Sequence, residues 1–283
     1  MAESSGLDLA DARRAIEAAL AEDIGPGDVT SSAVIPEALR FRGVMRSRDS
    51  IVVAGLPVAR EVFRMVCPDA NVREHLADGD AATAGTVLAE IEGPASALLT
   101  AERTALNFLQ LLSGIATLTR EYVRRIAGTG CVLLDTRKTI PGLRSLSKYA
   151  TRCGGAQNYR MGLFDAILIK DNHVAVCGSI SEAVRRAKLG AQRLTVEVEC
   201  DTLTQVAEAA DAGVDCILLD NMTLDQLRES VAIVAGRAQT EASGGVTLET
   251  IGDIARTGVN FVSVGRITQS APAVDIGLDW SPE

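Results

Sequence analysis

The chain has 283 residues, 47% of them hydrophobic and 23% charged, enough for one barrel-sized domain and a smaller one around a large core. Its formal net charge of −9 argues against general nucleic-acid binding, which wants a broadly basic face. The first residues lack a basic start followed by an apolar run, and no window approaches the roughly 18 apolar residues of a membrane span. A cytoplasmic protein is expected.

Leu9, Ala12, Ile16, Ala19 and Leu20 predict an amphipathic first helix over 8–21. EDIGPGDVTSS follows as a turn-rich connection. From residue 40 to about 91, short strand-like pieces alternate with turns and one helix, 58–66, so this part reads as α+β. His75, in its polar stretch, is read as an incidental surface histidine. Residues 96–127 carry apolar residues at helical spacing, and Gly114 is expected to break them into two helices. Glu102 and Arg103, near the start, read from spacing alone as a surface ion pair.

From Cys131 the rhythm changes. Six apolar, β-branched runs (CVLLDT, AILIKDN, LTVEVE, CILLDN, AQTEASG, FVSVGR) recur with helical segments between them. This alternation predicts a parallel sheet clothed in helices, and six strands favour an incomplete (β/α) barrel over an open sheet. A Rossmann sheet would want GxGxxG after its first strand, and 131–138 has none. The six cysteines (67, 131, 153, 177, 200, 216) are scattered and without a CxxC pair, so they read as buried thiols in a reducing compartment rather than zinc ligands.

Nearly every one of these strands ends in reactive side chains: Asp135, Arg137 and Lys138; Lys170, Asp171 and Asn172; Glu197 and Glu199; Asp220 and Asn221; Glu241 and Ser243; Gly265 and Arg266. Barrel active sites form at those carboxyl ends. Glu197 and Glu199 alternate with valines and share one face, the lumen. The 135–173 stretch carries a local net charge of +4 in this acidic chain, which points to a polyanion. Ser243-Gly244-Gly245, expected to open a helix at 246 or 247, and Gly265 form a candidate phosphate cradle. Arg144, Lys148 and Arg152 make a basic stripe that would extend the anion field or simply face solvent. Glu199 and Asp220 could hold Mg²⁺ or sugar hydroxyls.

The segments EDIGPGDVT, VAGLPVA, TAERTALNFLQLLSGIAT, DTRKTIPGLR, KYATRCGG, LIKDNH, VEVE, LLDN, SGGV and VG, in this order and spacing, resemble the quinolinate phosphoribosyltransferase family over essentially the whole chain. The resemblance implies an N-terminal α/β sandwich over 1–112, a barrel over 113–267, and a tail over 268–283 that returns to the sandwich. It also implies a homodimer, with larger oligomers left open, in which Arg103 reaches the partner's site.

The implied reaction takes quinolinate and phosphoribosyl pyrophosphate to nicotinate mononucleotide, pyrophosphate and CO2 with Mg²⁺, a step of NAD biosynthesis. By the same resemblance Lys138, Lys170, Glu199 and Asp220 are catalytic, with Glu199 and Asp220 helping to place metal. Arg137, Arg160, Arg103 and Tyr159 bind the acceptor, and Ser243, Gly244, Gly245 and Gly265 bind the 5′-phosphate. Two positions depart from the family pattern, Tyr159 and Gln269 standing where histidine is usual. They leave open a paralogue with a different pyridine or related carboxylate acceptor. Read without the resemblance, the strand ends also admit a Schiff-base lyase using Lys170, an enolising enzyme using Asp171, Glu199 and Asp220, or a silent metabolite-binding regulator.

Overall fold

The computed structural model describes residues 6–190 and 194–280. Its strands are β1 (Arg40–Ser47), β2 (Ile51–Val52), β3 (Asn71–Glu74), β4 (Ala81–Ala82), β5 (Val87–Pro94), β6 (Val132–Leu134), β7 (Ile167–Ile169), β8 (Val196–Cys200), β9 (Cys216–Asp220), β10 (Gln239–Ser243), β11 (Phe261–Ser263) and β12 (Ile276–Trp280). The chain divides into two compact units, one of residues up to Arg120 with Thr139–Gly155 and Ile267 onward, the other of Glu121–Lys138 and Ala156–Arg266.

The first unit holds an antiparallel sheet in the order β12-β1-β5-β3 and the small pair β2-β4. β12 closes the edge of β1 with Ser47 opposite Ile276. The expected first helix forms over Leu9–Ile24, capped by Asp8, whose carboxylate accepts the Ala10 and Asp11 amides. The turn-rich stretch after it contains a short helix, Val29–Val34, because Asp28 caps it by accepting the Ser31 amide at 2.9 Å.

Residues Ala95–Arg125 form one helix of 31 residues. The expected break at Gly114 does not occur. A β-carbon there would lie 2.1 Å from the Pro272 carbonyl oxygen, so the glycine admits a close-packed backbone instead of ending the helix. Leu98, Ala105, Leu109, Leu112 and Ala116 recur on the helix's buried stripe. Ser113 satisfies the Ala54 amide and carbonyl, and Thr117 accepts the Val52 amide at 2.8 Å.

Thr139–Gly155 packs within this unit. Its helix, Arg144–Gly154, is tied in by buried Tyr149, whose hydroxyl donates to Asp78 at 2.5 Å, and by Arg120, which donates to the Gly154 carbonyl at 2.8 Å.

In the second unit six parallel strands run in the order β6-β11-β10-β9-β8-β7. Cyclically this is the barrel sequence with one junction missing: β6 pairs with β11 and not with β7. The barrel is therefore incomplete at that seam, where Gln157 bridges to Leu134. Helices Ile180–Gly190, Leu203–Asp211 and Leu224–Val234 fall between the strands as the spacing predicts. The helix expected directly after Ser243-Gly244-Gly245 begins only at Ile251 and spans five residues, so it offers no helix terminus to the cradle.

Candidate functional site

Strand pleating selects what faces the lumen. In β8 Val196 and Val198 lie on one face, Glu197 and Glu199 on the other. Register places Glu199 opposite Leu218 and Asp220 opposite Ser243, so the charged strand ends converge. They open on a cavity of about 450 Å³. The β6 end supplies Arg137 and Lys138, the next loop Tyr159 and Arg160, and β7 leads into Lys170. Glu199, Asp220, Asn221 and the Ser243-Gly244-Gly245 turn complete it. A larger hollow of about 600 Å³ lies at the opposite, amino ends of β9 and β10, where Arg237 is engaged with Asp211. Barrel chemistry belongs at the carboxyl ends, and the smaller cavity holds the convergent charges.

Lys170 donates to Glu199 in an ion pair. That engages it as an ammonium, which disfavours the Schiff-base reading because a nucleophilic lysine must be uncharged. The Lys170 amide is itself fixed by His173, whose Nδ1 accepts it at 2.9 Å, a role the sequence reading did not give to His173. Asp220 has its pKa raised by burial first and then by the neighbouring Glu199 charge, against a hydrogen bond from Asn221 at 2.6 Å. Asn221 adopts a left-handed φ of 54°, and its amide donates to the Ser243 carbonyl at 2.9 Å. Gly244 and Gly245 have φ of 95° and 59°, a glycine turn whose backbone can approach an anion. Gly265 lies outside the cavity lining. A β-carbon there would meet the Lys138 stem at 2.8 Å, so it gives that lysine room. Arg160 Nε is buried with no hydrogen-bond acceptor among the described residues, an unspent donor at a concave site.

Several charged residues expected at the site do other work. Asp135 is fully buried and anchors the loop that carries Tyr159 and Arg160, accepting the Tyr159 amide at 3.0 Å and Asn158 Nδ2 at 2.6 Å. The basic stripe is solvated only in part, Arg152 being exposed and Arg144 half-buried. Lys148 is fully buried, Arg144 donates to Thr139, and Arg152 donates to the Gly6 carbonyl. Arg103 and Gln269 lie in the first unit, both exposed. Asp171 is exposed and bonds the Asn172 amide, so the acid triad of an enolising enzyme is not assembled around it.

Deeper in the lumen, Glu197, Cys216 and Glu241 bring ligand atoms within 4.8 Å of one another, all buried. Sequence reasoning placed Glu197 in the lumen but gave neither it nor Glu241 a task. Burial, then the Glu197 charge, raises the Glu241 pKa well above the ordinary carboxyl range. The Cys216 thiol is pushed up by burial first and then by the same two carboxyls, so with no metal bound it is held protonated.

Residues 28–113 match the family model described as quinolinate phosphoribosyl transferase, N-terminal domain, and residues 115–279 match the corresponding C-terminal domain. The chain belongs to this family. It is 45% identical over 261 residues to a probable nicotinate-nucleotide pyrophosphorylase [carboxylating] of Bacillus subtilis, covering 91% of this chain and 89% of that protein. It is 38% identical over 293 residues to quinolinate phosphoribosyltransferase [decarboxylating] 1 of Nicotiana glauca, covering 96% and 83%. The crystal structure of NadC from Streptococcus pyogenes superposes with a TM-score of 0.94 at 38% identity, over 99% of this chain and all of that one. The family's incomplete barrel and N-terminal sandwich are thus this chain's fold.

The donor set near Glu199 and Asp220 fits Mg²⁺. Both offer carboxylate oxygens, and the repulsion that raises the Asp220 pKa is what a cation would relieve. Lys170 already occupies Glu199, so no all-protein cage is available and the ion would be held largely through substrate oxygens and water.

Proposed function

We propose that this chain transfers the phosphoribosyl group of phosphoribosyl pyrophosphate to quinolinate with decarboxylation, giving nicotinate mononucleotide, pyrophosphate and CO2. The observation that carries it is the cavity itself, where Arg137, Lys138, Arg160 and Lys170 meet Glu199 and Asp220. Cations suit two polyanionic substrates, and the paired acids suit a centre that becomes positive.

As the C1′–oxygen bond to pyrophosphate breaks and the pyridine nitrogen bonds C1′, the ribose turns oxocarbenium-like. Glu199 and Asp220 stabilise that charge and orient the ribose hydroxyls. Lys138 and Lys170 neutralise the leaving pyrophosphate. Arg137 and Arg160 hold the acceptor's carboxylates, the unspent Nε of Arg160 being one of the donors. Ser243, Gly244 and Gly245 take the 5′-phosphate. The C2–carboxylate bond then breaks, its electron pair drawn toward the pyridinium nitrogen, and C2 takes up a proton. Glu199 and Asp220 would help to hold Mg²⁺, which when bound would add to the neutralisation of the pyrophosphate.

The working unit is a homodimer in which Arg103 reaches the acceptor in the partner's site. A cytoplasmic location suits its six free thiols, and no described helix is long and apolar enough to cross a membrane. The test supplies Mg²⁺ and phosphoribosyl pyrophosphate with quinolinate or nicotinate separately, following mononucleotide and CO2. Turnover with quinolinate alone is expected. Pyrophosphate release with another acid and none with quinolinate would overturn the assignment.

A further inference from the structure

Three neighbouring strands each aim one side chain at a single point of the barrel lumen. Register sets Glu197 of β8 opposite Cys216 of β9, and Glu241 comes from β10, which pairs with the other edge of β9. Ligand atoms of the three lie within 4.8 Å of one another, and among the described residues no other three His, Cys, Asp or Glu side chains converge so closely. The point is sealed: Glu197 is 0%, Glu241 2% and Cys216 7% exposed. A second observation concerns Glu197 by itself. Both of its carboxylate oxygens are buried, and no hydrogen bond among the described residues reaches them. A carboxylate so far out of water needs an ion, a donor or a trapped water to compensate it.

We propose that Glu197, Cys216 and Glu241 are the protein ligands of one Zn²⁺ ion in the barrel lumen, a site separate from the Mg²⁺ position near Glu199 and Asp220. Metal bonds of about 2.0–2.3 Å put the donors around a tetrahedral ion roughly 3.3–3.7 Å apart, a spacing that rotation of the two carboxyls reaches from the observed cluster. Two oxygens and one sulfur select the metal: a thiolate suits Zn²⁺, whereas Mg²⁺ and Ca²⁺ take oxygen. Closing on the ion releases to solvent the protons that Cys216 and Glu241 carry in the metal-free chain. Glu241 also lines the cavity, so the ion has an entry path and a water from that side can take the fourth position. Glu197 precedes Glu199 by two residues on β8, a step of roughly 7 Å, so the two metal positions do not share a coordination sphere. The ion ties β8, β9 and β10 together directly beneath the strand ends that carry Glu199, Asp220 and Ser243.

The test uses the full-length protein freed of metal by a chelator, then given Zn²⁺ or Co²⁺ with Mg²⁺ present throughout. Wild type is expected to retain a single Zn²⁺ per chain after gel filtration, by elemental analysis, and to gain at least about 5 °C in Tm at about 100 times Kd. Co²⁺ is expected to give the near-ultraviolet band of a thiolate–cobalt bond. C216S and E197Q are each expected to weaken Zn²⁺ binding by more than the roughly 10- to 100-fold that an outer partner is worth, and C216S to abolish the cobalt band. D220N, which alters the acids assigned to Mg²⁺, is expected to keep the Zn²⁺. Wild type that takes up no Zn²⁺ and gains no Tm overturns the proposal, leaving water as the partner of Glu197. Zn²⁺ retained by C216S and E197Q, or lost from D220N, overturns it by placing the ion elsewhere. Co²⁺ bound without the thiolate band does so by removing Cys216 from the ligands. Should one variant fail to fold, the other and the wild-type cobalt spectrum still decide.

Discussion

Gly244 passes so close to Asn221 that a β-carbon on it would lie 2.2 Å from the Asn221 Oδ1. The same glycine holds φ at 95°, and Asn221 in turn donates to Asp220 at 2.6 Å. The glycine turn proposed to take the phosphate and the acid proposed to act in catalysis are therefore in one packed arrangement. Gly244→Ala must strain the turn, by about 1–3 kcal/mol for a side chain in that region, and displace Asn221 from Asp220. KM for phosphoribosyl pyrophosphate is expected to rise at least about 10-fold, with kcat falling as well. Unchanged kinetics in a folded variant would remove the turn from the phosphate site.

The Lys170–Glu199 pair joins a half-exposed ammonium to a largely buried carboxylate. Removing the ammonium leaves Glu199 uncompensated beside Asp220, whose pKa already stands above its ordinary value. Lys170→Met is expected to lower kcat by about 10²–10³-fold, in line with loss of one preorganised electrostatic group. Steady-state assays with saturating substrates check this. A variant retaining more than a tenth of wild-type kcat would exclude Lys170 from the transition state.

Much of this was legible in the chain because apolar runs that end abruptly in charge are local features, and strand pleating decides which charges share a face. The family pattern added the order of the pieces. Contacts made across long sequence separations were not legible. Gly114 looks like a helix breaker until the Pro272 backbone is seen against it. Arg144, Lys148 and Arg152 look like a solvated stripe by spacing, yet Lys148 is fully buried. Asp135 reads as one more charged strand end, and only the fold shows it spent on Tyr159 and Asn158. Glu241 reads only as one more strand-end charge, because its burial beside Glu197 comes from another segment.

Gly114 supports a stability prediction. Its helix is continuous through that point, and the Pro272 carbonyl occupies the place of a side chain. Gly114→Ala gains helix propensity of about 1 kcal/mol but must push a packed backbone aside, an overpacking cost of about 1–3 kcal/mol or more. Net destabilisation is expected, seen as a lower Tm and a lower urea midpoint. A rise in Tm would show that the close approach is easily relieved.

Glu241 sets a pH dependence. Its folded-state pKa is raised well above the usual carboxyl value by burial and by Glu197. Between the unfolded value near about 4.5 and the raised folded value, the folded chain binds more protons than the unfolded chain. Stability attributable to this group is therefore complete below the unfolded pKa and declines as pH rises through that window. Glu241→Gln replaces the protonated acid by a neutral near-isostere that does not titrate. The variant is expected to lose less Tm than wild type between pH 5 and pH 8, by about 2–4 °C for each kcal/mol of linkage removed. Parallel Tm–pH curves for the two proteins would mean that Glu241 titrates alike in the folded and unfolded chain, which its burial forbids.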